Sequence, residues 1–177
     1  MAMTVDVLLA VKVVKNTRKI RIANVHPDKF ETREFEVPQS GDIEIDAKVH
    51  EWSNYFKSGL RGASELLRKK KGSDFASVGM DILVDGSVPA GGGLSSSAAF
   101  VCASALAVMK ANGEEIVDKT ELTELAIVSE RAVGVNSGGS VDVTATPCHA
   151  NPRLEWISLP LSSLYETVHY LSLSSHH

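Results

Sequence analysis

The chain has 177 residues, the length of one ordinary domain and enough to bury a real core. Hydrophobic residues make up 44% and charged residues 23%, a globular composition that excludes an intrinsically disordered one. The formal net charge of −4 argues against a nucleic-acid surface, which would be basic.

Thr4 to Val14 is rich in Val and Leu and predicts a strand buried on at least one face. Arg18 to Val25 alternates Ile20, Ile22 and Asn24 against Arg21 and Ala23, a pairing strand. Phe30 to Val37 alternates again and stops at Pro38, and Ile43 to Ile45 follows as a short strand. Four such runs on short connections predict an antiparallel meander. From Val49 the period changes: Val49, Trp52, Tyr55, Phe56, Leu60, Ala63, Leu66 and Leu67 mark an amphipathic helix ending near Gly72. Its aromatics read as core contacts rather than as a base-stacking platform. The basic run Arg68-Lys69-Lys70-Lys71 at its end reads as a solvated last turn that complements the helix dipole.

Met80 to Val84 predicts a strand, Leu94 to Asn112 a buried helix, and Asp118 to Gly134 a further helix. Thr120 begins the latter with Glu124 downstream, and Leu122, Leu125, Ala126, Val128 and Ala132 supply its apolar positions. Strands, a helix, a strand and two helices make an α+β domain, with helices covering a mostly antiparallel sheet. Cys102 and Cys148 do not form a disulfide framework, and Cys102 reads as a small buried hydrophobe. The first residues lack the basic start of a secretory signal, and the apolar run from Ala98 to Met109 is too short for a bilayer. These features predict a protein of the reducing cytoplasm, away from membranes.

The strongest chemical signal lies between Asp85 and Ala99, where the chain reads DGSVPAGGGLSSSAA. Gly91, Gly92 and Gly93 carry no Cβ, so their backbone can take φ > 0 and approach a ligand closely. Ser95, Ser96 and Ser97 place hydroxyls where a helix begins, beside free N–H groups and the positive end of its dipole. Together these make an anion cradle. No Gly-Lys-Ser/Thr follows the glycines, so this is no Walker loop, and their spacing is not the GxGxxG of a dinucleotide site.

The run Pro89-Ala90-Gly91-Gly92-Gly93-Leu94-Ser95-Ser96-Ser97-Ala98 closely resembles the nucleotide motif of the GHMP small-molecule kinases, written roughly P-x-x-x-G-L-S-S-S-A. His50 to Lys57 (HEWSNYFK), Val84-Asp85-Gly86 and Val133 to Gly139 (VGVNSGG) are similar to the galactokinases of fungal type. The resemblance covers residues 1–139 and implies a ribosomal-protein-S5-domain-2-like fold, the family's N-terminal, ATP-binding half. It implies ATP phosphates on Gly91, Gly92, Gly93, Leu94, Ser95, Ser96 and Ser97, and Mg²⁺ on Ser97 and Glu130. Galactose or a related sugar would lie near Gly138 and Gly139. A protein partner would be implied only for a regulatory, galactose-sensing relative, and the complete Ser95-Ser96-Ser97-Ala98-Ala99 run favours the kinase side of that division.

After Gly139 the chain departs from the pattern. The family follows its glycine pair with Met-Asp-Gln, whereas this chain reads Ser140-Val141-Asp142. Asp142 stands one place late, and a one-residue shift on a strand turns a side chain to the opposite face. It can act as the catalytic carboxylate only if the backbone bulges. Residues 140–177 read as a divergent tail, with the character of an alien reading frame or a truncated gene product. The family's upstream sugar-binding segment (G-R-x-N-L-I-G-E-H) and C-terminal domain are expected to be missing. His149, His169, His176 and His177 show no metal-ligand spacing.

Overall fold

Alternation along three strands builds one apolar sheet face. Leu9 and Val11, Ile20 and Ile22, and Met80, Ile82 and Val84 all point into the core. The computed structural model describes residues 6–89, 96–131, 133, 155–160 and 167–174. Its elements are β1 (Asp6–Val14), β2 (Lys19–Asn24), β3 (Arg33–Glu36), α1 (Ser53–Lys71), β4 (Gly79–Gly86), α2 (Ser96–Ala111), α3 (Lys119–Arg131), β5 (Glu155–Pro160) and β6 (Thr167–Ser174). The α+β reading holds. Among the described pairings, only β2–β4 is parallel.

The sheet order is β3-β2-β4-β1-β6-β5, which corrects the expected meander. β1 and β2 do not pair. β4 lies between them, antiparallel to β1 (Leu9↔Val84) and parallel to β2 (Ile22↔Ile82). Gly79 makes this insertion possible at its start. A Cβ there would stand 2.7 Å from Thr17 Cγ2 and 2.8 Å from the Lys19 carbonyl oxygen, while the Gly79 N–H donates to Thr17 O at 2.8 Å. Part of the tail, residues 155–160 and 167–174, joins the same sheet: β6 pairs antiparallel with β1 and β5 with β6.

Three other expectations need correction. Ile43 to Ile45 is loop rather than strand, although Ile43 is buried and Ile45 packs on the core. The chain there is held from α1, where Asn54 Nδ2 donates to the carbonyls of Asp46 and Val49. Val49 precedes the helix and is half exposed. Val128 of α3 is 65% exposed, whereas Leu122 is buried and Leu125 packs on the core; Ala132 lies outside the described residues. α1 does stop at Gly72, which takes φ +112° and donates its N–H to Arg68 O.

The basic run at the end of α1 does more than face solvent. Lys70 pairs with Glu121 of α3 at 2.7 Å, and Lys71 pairs with Glu114 at 3.1 Å. Arg68 donates to Gly41 O at 2.6 Å. Each exposed pair contributes little by itself, but together they tie α1 to the chain before and after it.

α2 is buried from Val101 to Met109, so it needs no polar face. It sits among the sheet, α1 and α3. Cys102 is buried as expected. No described helix is long and apolar enough to cross a membrane.

α3 starts on a cap. Asp118 Oδ1 accepts the N–H groups of Thr120 at 2.8 Å and Glu121 at 3.0 Å. The bond from Glu121 first, then, against the opposing effect of burial, those from Thr120 and the charge of Lys70 hold its carboxyl below the ordinary range. A depressed folded-state pKa stabilises above the unfolded value, about 4, and that stabilisation is lost as pH falls through the folded one. Hydrogen exchange at the α3 amides is therefore expected to speed up, relative to the core strands, as pH drops below about 4. Asp118→Asn should flatten that dependence. An identical pH profile in the two proteins would contradict the cap assignment.

Candidate functional site

A parallel β2–β4 pair sends both strands out at the same end of the sheet, so the loops after Asn24 and after Gly86 emerge side by side. Between them and the helices lies a cleft of about 600 Å³. Val7 and Val84 form its floor, and Asn24, His26, Lys29 and Phe30 form one wall. Trp52 and Tyr55 from the start of α1 form a second wall, and Ser96, Ser97 and Phe100 from the start of α2 a third. The volume falls in the range of small-molecule sites.

Each wall is fixed locally. Asn24 Oδ1 accepts the His26 N–H at 2.8 Å, and the Lys29 and Phe30 N–H groups both donate to His26 O at 3.1 Å. Val25 N–H donates to Val84 O at 3.0 Å, so this loop is anchored to β4. The Phe30 ring meets Trp52 edge-on with centroids 5.7 Å apart, and Trp52 stacks on Phe100 at 6.2 Å and 16°. Trp52 Nε1 donates to Glu31 O at 3.0 Å. At the exit of β4, Ser87 N–H donates to Asp6 O and Ser87 Oγ to Asp6 Oδ1, both at 3.0 Å.

Beside the aromatic wall, Arg33 donates from Nε to Glu51 and from Nη1 to Glu31 at 2.7 Å. Burial works to raise the Glu51 carboxyl, but hydrogen bonds from Arg33 and Ser53 outweigh it and hold the group below its usual range. The hydrogen bonds to Glu31 and then Glu51 raise the Arg33 guanidinium in turn.

The sequence model of the GHMP kinases N terminal domain matches residues 54–148. Galactokinase of Saccharomyces cerevisiae is 44% identical over 156 residues, covering 84% of this chain and 29% of the yeast protein. Galactokinase of Candida maltosa is 41% identical over 154 residues, covering 87% of this chain and 69% of that protein. The chain belongs to the galactokinase family of the GHMP kinases.

The fold agrees. Lactococcus lactis galactokinase complexed with galactose superposes with a TM-score of 0.61 at 24% identity, over 81% of this chain and 34% of that one. Methanococcus jannaschii mevalonate kinase gives 0.59 at 14% identity, over 81% and 44%. The chain spans less than a third of the length of the galactokinases of S. cerevisiae, Candida parapsilosis and Schizosaccharomyces pombe.

Of the residues the galactokinase resemblance singled out, Ser96 and Ser97 begin α2 and line the cleft. Gly91, Gly92, Gly93, Leu94 and Ser95 lie outside the described residues, but the chain on either side of them, at Pro89 and Ser96, borders the cleft. Glu130 is the penultimate residue of α3. Gly138, Gly139 and Asp142 lie outside the described residues. No group of three or more His, Cys, Asp or Glu able to hold a metal occurs among the described residues.

Sequence reasoning missed the 24–30 loop. The α1 aromatics pack on the core as expected, Phe56 fully buried and Trp52 and Tyr55 partly so, but Trp52 and Tyr55 also line the cleft. Asn24 two residues before His26 is an Asx-turn signal, so the turn itself was detectable. Its place beside the chain leaving β4 was not, because that follows from β4 pairing with β2.

Proposed function

We propose that this chain is the nucleotide-holding part of an ATP-dependent sugar kinase, acting on galactose or a related sugar at its 1-hydroxyl. One observation carries the reading: Ser96 and Ser97, at the N-terminus of α2, line a cleft walled by Trp52, Tyr55 and Phe30. Donor N–H groups of a first helical turn and small hydroxyl side chains suit phosphate oxygens. The aromatic wall of Trp52, Tyr55 and Phe30 suits a purine. ATP has both parts.

Gly91, Gly92, Gly93, Leu94, Ser95, Ser96 and Ser97 are assigned to the phosphates. The hydroxyl of Ser97 and the carboxylate of Glu130 are hard oxygen donors, the kind Mg²⁺ takes alongside nucleotide phosphates and water. When bound, the ion would offset the charge that builds on the transferred group. Gly138 and Gly139 are assigned to the sugar, and Asp142 is the carboxylate that would accept the proton of its 1-hydroxyl. Because Asp142 is displaced by one position, we assign this chain nucleotide binding with impaired transfer. The complete serine–alanine run from Ser95 to Ala99 favours this reading over a purely regulatory one. We assign the protein to the cytoplasm.

ATP titration with and without Mg²⁺ tests the assignment. Wild type should bind ATP more tightly with Mg²⁺, and Ser97→Ala and Glu130→Ala should each lose about tenfold of that gain, the scale of one charge-assisted contact. Equal binding by all three proteins, with and without the ion, would remove the cradle and the metal assignment together.

A further inference from the structure

Arg33 does not line the cleft, yet its guanidinium joins the two segments that hold Trp52. Glu31 supplies the carbonyl that accepts the indole N–H at 3.0 Å, and its carboxylate accepts from Arg33 Nη1 at 2.7 Å. Glu51 directly precedes Trp52, and its Oε1 accepts both Arg33 Nε and, at 3.0 Å, the hydroxyl of Ser53. Ser53 is fully buried and opens α1. The indole is thus tethered through its N–H on one side and through its backbone neighbours on the other. One planar fork closes that circuit.

An exposed ion pair is ordinarily worth little to global stability. The side chains of Arg33 and Glu51 are 40% and 24% exposed, so a large effect on unfolding is not the expectation. The fork has geometry as its main asset: two donors at fixed spacing meet two separate acceptors, which a lysine cannot reproduce. What it fixes is the plane of the Trp52 ring between Phe30 and Phe100. A wall held in place before the ligand arrives spares the ordering cost on binding.

We infer that Arg33 is a positioning residue for the nucleotide: by bridging Glu31 and Glu51 it fixes the Trp52 ring and sets the affinity for the base from outside the cleft. The inference rests on the nucleotide reading above.

Calorimetric titration with adenosine and with ATP, on wild type, Arg33→Ala, Arg33→Lys and Glu51→Gln, tests it. Arg33→Ala should weaken both ligands equally, by about five- to tenfold, because the effect acts through the base. Glu51→Gln should do the same, and Arg33→Lys should not restore the affinity. Adenosine carries no charge, so its binding to wild type should weaken from about 50 mM to about 500 mM salt only through the strut. In Arg33→Ala that salt dependence should vanish.

Adenosine binding within twofold of wild type in a folded Arg33→Ala protein would overturn the inference while leaving the nucleotide reading intact. Loss of ATP affinity without loss of adenosine affinity would instead make Arg33 a phosphate contact, and would overturn it as well. Failure of wild type to bind either ligand would remove the nucleotide reading and the positioning role with it.

Discussion

Gly59→Val is expected to lower stability by about 3 kcal/mol and the melting temperature by roughly 6 to 12 °C. A Cβ at Gly59 would stand 2.6 Å from the Val101 carbonyl oxygen, 2.8 Å from Ser104 Cβ and 2.9 Å from the Ala105 amide nitrogen. Two of these three atoms are backbone of α2, so no side-chain rotation relieves the contact. One helix must move away from the other. The opposing effect is helix propensity: replacing glycine by alanine in a helix interior gains about 1 kcal/mol. At 2.6 Å the overlap should win, so Gly59→Ala should also destabilise, by less than the valine. The same displacement would carry Ser96, Ser97 and Phe100 away from the cleft, so nucleotide affinity should fall with stability. Urea unfolding of both variants provides the check, and a Gly59→Ala protein as stable as wild type would show that the helices can separate freely.

The difference between legible and illegible parts follows from what side-chain patterns encode. Alternation in Leu9 and Val11, in Ile20 and Ile22, and in Met80, Ile82 and Val84 states which face of each strand is buried. It does not state which strand lies next to which. The insertion of β4 between β1 and β2 therefore escaped the pattern, and with it the meeting of the 24–30 loop with Ser87 to Pro89 and the start of α2 at one cleft. The close approach at Gly79 that permits the insertion is visible only once Thr17 and Lys19 are beside it. Ile43 departs from its strand pattern for a related reason. A short apolar stretch is buried whether it pairs in a sheet or packs from a loop, and here the polar backbone of the neighbouring loop is held by Asn54 rather than by a ladder.

The site divides in the same way. The anion cradle proposed here has a sequence signal because it needs unusual residue types, three glycines and three serines in order, and those are explicit in the sequence. Trp52 and Tyr55 pack on the core as expected, but their further place in the cleft lining had no signal, because an aromatic at helical spacing looks the same whether or not part of it borders a cleft. Arg33 left no local signal at all. Its partners Glu31 and Glu51 lie two and eighteen residues away, and only the fold makes them neighbours.

Trp52→Ala is expected to weaken ATP and adenosine binding by about 10- to 100-fold, the range set by loss of 1–3 kcal/mol of base–aromatic stacking. The ring does two jobs that a graded series can separate. Trp52→Phe keeps an aromatic face between Phe30 and Phe100 but removes the N–H that reaches Glu31 O at 3.0 Å. It should therefore retain most of the affinity and lose only the part owed to fixed orientation, a few-fold on the scale of one hydrogen bond. In that variant the Arg33 bridge no longer holds the ring through its N–H, so adding Arg33→Ala should cost less than it does in wild type. Full ATP affinity in Trp52→Ala would leave the indole with its core contacts alone and move the base elsewhere. A loss confined to ATP, with adenosine unaffected, would place the aromatic wall against the phosphates, where the charge chemistry of the cleft gives it nothing to do.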